Sequence, residues 1–374
     1  MAYLFRVYSD QSNGFNDRFE FKPASAIFGP APGMTLEAQL IIALSGKLIA
    51  PHNPYIFWTI SLHLALQLAH KRQAAGETNI RIAFLDVKAS RTPAGGLLQF
   101  ESVASFAARL GLALKKDRDG TPRGLAEFVT MDSVVVKGDS RTASFDALIS
   151  NGLYKLYPSI EQAAGMRSGS GFNLELRLLQ QLYYDPGRKW SLSRTKIALA
   201  AKIASAFVAK DVSTCKVANQ VLGFFLSLQN RDMDDQKALR AWSKTNTKPE
   251  VIDLTEASGI EIIDITHDSK FDISNPEMDT FRSTSAILKG RTILDSVLGM
   301  CTTVPEREIR AEVELWHKQR EENYAAHRAS KPLRGQRGFR RGAKVFPDHA
   351  RHPREFPVRK PRTEVYKQRR ERRY

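Results

Sequence analysis

The chain has 374 residues, 42% of them apolar, and a net charge of +16. That length is enough for two modest domains and a tail. Its two cysteines, Cys215 and Cys301, lie far apart, which argues against a disulfide scaffold or a cysteine-rich zinc site and fits a reducing compartment. No metal site is expected. The charge is uneven: residues 331–374 hold 16 Lys/Arg against 4 Asp/Glu, so the rest of the chain carries only +4. No apolar run approaches the ~20 residues of a membrane helix. No signal peptide is expected from the opening Met1-Ala-Tyr-Leu-Phe-Arg either.

In chain order, Tyr3 to Tyr8 reads as a strand carrying one arginine, followed by turn chemistry from Ser9 to Gly14. Leu36, Leu40, Ile41, Leu44 and Leu48 have helical spacing. Tyr55 to Ile60 reads as a buried strand, and Ser61 as the cap of a helix over 62–73. Strands are expected over 80–87, 126–131 and 133–136, and a helix over 101–112. Interleaved strands and helices make residues 1–160 an α+β domain. Residues 161–173, rich in Gly and Ser, read as a linker.

Helices are expected next at 174–184, 191–210 (capped by Ser191 or Ser193), 213–228 and 234–243, forming a small all-α domain over 174–244. Residues 245–285 read as a linker, loose after 269. Two further helices are expected at 287–300 and 306–329, the second with Ile309, Val313 and Trp316 as its apolar stripe. From Lys331 onward order is not expected.

Three polar residues of the first domain carry a resemblance. Tyr3-Leu-Phe-Arg6, then Phe57-Trp-Thr59 ahead of Ala65-Leu-Gln-Leu-Ala69, then Glu127 on a late strand, together resemble the ADP-ribosyltransferase fold. The family has an arginine on its first strand, a Ser-Thr-Ser-like strand before a helix, and a late glutamate. The resemblance implies NAD as cofactor, with Arg6 on a phosphate, Thr59 shaping the nicotinamide pocket, and Glu127 gripping the ribose as positive charge develops. It also bounds the activity. Of the three hydroxyl positions only Thr59 is polar, and Leu125 stands where arginine-directed members have Glu or Gln. An active transferase and a degenerate relative both remain open. The opening strand is also similar to a group of fungal N-terminal domains that begin with Leu-Phe-Arg-Val-Tyr.

A second resemblance lies at 249–268. Val251-Ile252-Asp253-Leu254-Thr255 and Ile262-Ile263-Asp264-Ile265-Thr266 repeat one pattern beside Glu250, Glu256, Glu261 and Asp268. Each copy resembles a SUMO-interacting motif. This implies strand addition to a SUMO sheet edge, with the apolar residues filling pockets and the aspartates steering. Two tethered copies would gain avidity on a chain of modifiers. The alternative is a private hairpin turning at Ala257-Ser258-Gly259.

In the tail, Arg334, Arg337, Arg340 and Arg341 alternate with glycine around Phe339, a composition that contacts RNA or DNA by phosphate neutralisation and stacking. The basic runs at 359–362 and 367–373 look like nuclear import signals. The assembled expectation is a nuclear adaptor for SUMO-modified partners. An NAD-dependent ADP-ribosyltransferase is the alternative, and a tail-driven nucleic-acid binder the third reading.

Overall fold

The run from Ile80 to Val87 has no solvent face. Ile82 and Phe84 enter one core cluster, while Ala83, Leu85 and Val87 enter another on the opposite side. A near-continuous apolar strand of this kind belongs in the middle of a sheet covered on both faces. The computed structural model describes residues 3–44, 52–114, 126–138, 140–164, 172–188, 190–208, 215–249, 276–289, 291–293 and 303–329. Within it, Met1–Ala325 forms one compact unit and Ala326–Tyr374 a second.

The chain runs β1 Tyr3–Tyr8, β2 Phe15–Asn16, β3 Glu20–Lys22, α1 Ser25–Phe28, α2 Leu36–Leu44, β4 Ile56–Thr59, α3 Leu62–Ala74, β5 Arg81–Asp86, β6 Glu101–Ser102 and α4 Val103–Arg109. It continues through β7 Glu127–Thr130, β8 Val134–Val135, β9 Arg141–Ser144, α5 Phe145–Ser150, α6 Leu153–Leu156, α7 Pro158–Ala164, α8 Phe172–Tyr184 and α9 Arg194–Ala204. Then come α10 Cys215–Leu226, α11 Met233–Asn246, β10 Thr247–Pro249, α12 Pro276–Leu288, β11 Arg291–Ile293 and α13 Glu306–Ala329. The mixed α+β class expected from the sequence is observed.

Six strands form one antiparallel sheet in the order β6-β7-β4-β1-β5-β9, with β2-β3-β8 and β10-β11 as smaller sheets. One face carries Phe5, Ile82 and Phe84 against α3, α10 and the other helices; the other carries Leu4, Tyr8, Trp58 and Leu85 against Phe21 and Val134. The helices expected as a domain over 174–244 share that first core with the sheet.

Several caps follow the sequence. Ser61 is extended and its hydroxyl accepts from Leu64 N at 3.1 Å; Ser193 does the same for Lys196 N at 3.2 Å. Other segments differ. The span expected to be loose after 269 holds α12, started by Pro276 with Glu277 and Asp279 in its first turn. Its buried stripe is Phe281, Thr284 and Leu288. Of the helix expected over 287–300, Ile287 and Leu288 end α12 and Arg291–Ile293 form β11 instead, paired with Thr247–Pro249; residues 294–300 lie outside the described residues. The strand β9 and the short helices α5 to α7 went unread, being too short for a periodic signal. Of the expected linker, Glu161, Gln162, Ala163 and Ala164 lie in α7 and Phe172 and Asn173 in α8. The tandem motif residues Val251, Ile252, Asp253, Leu254, Ile262, Ile263, Asp264 and Ile265, and the tail residues Arg334, Arg337, Arg340 and Arg341, lie outside the described residues.

Two glutamates from the C-terminal helices close helix N-termini far upstream. Glu312 of α13 accepts from Ser159 Oγ at 2.6 Å and Tyr183 OH at 2.9 Å, at the start of α7. Glu277 of α12 accepts from Ser61 Oγ and Leu62 N, both at 2.6 Å, at the start of α3. Glu277 is 1% exposed, and its burial pushes the carboxyl up to about 7, against the pull of its hydrogen bonds. Between the ordinary value near 4.5 and about 7 the folded state holds this proton better than the unfolded chain. The stabilisation is therefore full below the ordinary value and is lost as pH rises through about 7. Glu277→Gln, which cannot titrate, is expected to flatten the fall in thermal midpoint between pH 5 and pH 8. An equal fall in both proteins would refute this.

Candidate functional site

The six-stranded sheet is joined unevenly. β1 pairs with β5 through six registered residues and β4 with β7 through four, but β1 and β4 meet at the single pair Phe5↔Thr59. Beyond that pair the two halves of the sheet part. Arg6, next along β1, reaches across the opening, where its Nη1 donates to Phe57 O at 3.0 Å. Its Nε and Nη2 donate to Asn16 Oδ1 at 3.1 and 2.7 Å. The rings of Phe21 and Trp58 lie 5.7 and 5.9 Å from its Cζ.

Facing residues of paired strands share a face of the sheet. Thr59 opposes both Phe5 and Glu127, so these three stand on the α3 side of the opening. The result is a cavity of about 170 Å³ lined by Arg6, Tyr55, Phe57, Thr59, Arg72 and Glu127, among others. The three residues singled out by the resemblance, distant in sequence, thus share one cavity.

Their chemistry differs. Arg6 is half-buried; burial first, and the nearby Arg72 second, bring its guanidinium down to about 9, so it stays a cation at neutral pH. It makes no ion pair among the described residues. Burial raises the Glu127 carboxyl above the usual carboxylate range. Glu127 likewise has no hydrogen-bond or ion-pair partner among the described residues. Thr59 is 4% exposed and its hydroxyl is spent: Oγ1 donates to Ala126 O at 2.8 Å and accepts from Ser61 N at 3.0 Å. It holds the turn from β4 into α3 rather than offering a free hydroxyl.

Arg72 was missed from the sequence because a cation in the last turn of a helix is ordinary dipole chemistry. Its Nη1 donates to Ser12 Oγ at 2.9 Å, Ser9 Oγ at 3.2 Å and Glu77 Oε2 at 2.8 Å. Asn16 carries no motif in the sequence, and only the fold brings it to Arg6. In the cavity lining, Tyr55 is 3% exposed; its OH donates to Leu36 O at 2.8 Å and its N to Asn53 Oδ1 at 3.1 Å, which fixes the ring in place. No group of His, Cys, Asp and Glu among the described residues could hold a metal ion, and no described helix is long and apolar enough to cross a membrane.

Fold and cavity define an α+β protein with a part-aromatic cleft whose lining includes a cation and a carboxylate. No family model matches the chain, and neither does any curated protein or solved structure.

Proposed function

We propose that the cleft binds NAD and transfers its ADP-ribose group, as the resemblance to ADP-ribosyltransferases implies. One observation carries the reading: Arg6 and Glu127 line a single cavity, each half-buried and neither ion-paired among the described residues. Leaving two such groups uncompensated costs stability unless a ligand uses them. NAD does. Arg6 binds a phosphate, and Tyr55 and Phe57 offer aromatic surface to the nicotinamide ring.

Glu127 meets the ribose. When the bond from ribose C1′ to the nicotinamide nitrogen breaks, its electron pair leaves with nicotinamide and positive charge remains on the sugar. A fixed carboxylate in a dry site stabilises that charge. The acceptor's nucleophile then bonds to C1′ and sheds its proton. Water in that role gives hydrolysis. The intact protein is expected to release nicotinamide from NAD, read by chromatography. Absence of both release and binding at millimolar NAD would sink the reading.

A second reading concerns the tandem motif and does not compete for the cleft. Both ends of that stretch are fixed in the fold, β10 ending at Pro249 and α12 starting at Pro276. We infer an adaptor role in which Ile252 and Ile263 enter SUMO pockets. SUMO titrated into the intact protein is expected to bind, and the Ile252→Ala/Ile263→Ala double variant to lose that binding. No binding at high micromolar SUMO returns the segment to the private-hairpin alternative.

A further inference from the structure

A cavity of about 170 Å³ lies below the ~300–1,000 Å³ of typical small-molecule sites. That is too small for a whole dinucleotide. A second cavity of about 360 Å³ adjoins it, lined by Tyr8, Ser9, Asp10, Phe15, Asn16 and Arg81, with Ser12 lining both. The wall between them is the turn from Ser9 to Asn16. Both arginines of the cleft hold that wall: Arg6 through Asn16 Oδ1, Arg72 through the Ser9 and Ser12 hydroxyls.

The geometry points to a dinucleotide-length site in which Arg72 is a second phosphate-holding side chain beside Arg6 and the cavity behind Ser12 seats the ligand's other nucleoside. This rests on the NAD reading above and extends it. A guanidinium has five N–H donors. Arg72 uses Nη1 alone; its Nε and Nη2 make no hydrogen bond to a described residue. Its one ion pair, to Glu77, leaves the side chains 31% and 24% exposed, so water weakens it.

Arg72 is near enough to Arg6 to oppose its charge, an arrangement an anion between them relieves. A pyrophosphate supplies two negative charges at that spot and acceptors for the open donors. On the far side, the Phe15 ring is 44% exposed and offers a face on which a purine stacks. Arg72 touches neither the reacting carbon nor the leaving group, so its role is in holding the ligand.

The test uses the intact protein and three probes, NAD, ADP-ribose and nicotinamide mononucleotide, with Arg72→Gln, Arg72→Lys and Phe15→Ala. Arg72→Gln is expected to weaken ADP-ribose binding by ~10-fold or more, and to raise KM for NAD with kcat nearly unchanged. Nicotinamide mononucleotide, with one phosphate for Arg6, is expected to lose less than about threefold. Arg72→Lys, keeping the charge but not the fork, falls between. Phe15→Ala weakens ADP-ribose and spares the mononucleotide. Thermal melting checks that each variant folds; Phe15 is exposed enough that its variant decides if Arg72→Gln does not. ADP-ribose affinity unchanged in the folded variants, in a protein that still turns over NAD, overturns the extended site. A wild-type protein that binds none of the probes removes the NAD reading, and this inference with it.

Discussion

Glu127→Gln is expected to reduce nicotinamide release from NAD by ~10²–10³-fold while leaving NAD affinity within about a factor of three. Gln keeps the shape and a hydrogen-bond acceptor for the ribose, so ground-state contacts persist. What disappears is the charge that meets the developing cation, an interaction realised only as the bond breaks. The burial that raises Glu127's pKa also sets the pH profile. In the proposed chemistry the working form is the carboxylate, so turnover is expected to rise with pH as that form fills, above the ordinary carboxylate range. The Gln variant is expected to lose that limb along with the rate. Full activity in Glu127→Gln would remove the carboxylate from the chemistry and leave the cleft as a binding site.

What the sequence revealed depended on how local each signal was. The β1, β5 and β7 strands and the caps at Ser61 and Ser193 are written in a few adjacent residues, and they were legible. The resemblance singled out Arg6, Thr59 and Glu127, but not the sheet opening that brings them to one cavity, because pairing at Phe5↔Thr59 alone is a property of two strands far apart in the chain. Arg72 and Glu277 were hidden for a similar reason. One looks like a helix-end cation, the other like part of a polar loop, until the fold sets Arg72 beside Arg6 and Glu277 on the amides of Leu62 and His63. The Gly/Ser-rich stretch read as a boundary because composition reports local chain flexibility. It carries no information about which apolar faces meet across it.

That meeting of faces gives the largest stability effect. Phe224 of α10 is 1% exposed and stacks on Phe281 of α12 at 3.7 Å between centroids and 11° between planes. It also stands edge-on to Phe5 at 4.9 Å and near Phe84 at 5.8 Å, the inward residues of β1 and β5. One ring thus joins the sheet to two helices that follow the supposed linker. Phe224→Ala is expected to cost ~3–5 kcal/mol, the lost burial plus the cavity left among side chains that cannot all close in. Neighbouring Gly223 limits repair from α12, since even a Cβ there would lie 3.2 Å from the Phe281 ring. Because the helices share the core of the sheet, the loss should appear as one cooperative transition at a lower denaturant midpoint, with far-ultraviolet and tryptophan signals moving together. Two separated transitions, with only the helical one displaced, would mean that sheet and helices unfold as independent domains. A single transition displaced as a whole would mean that Phe224 braces the same sheet whose opening between β1 and β4 forms the cleft.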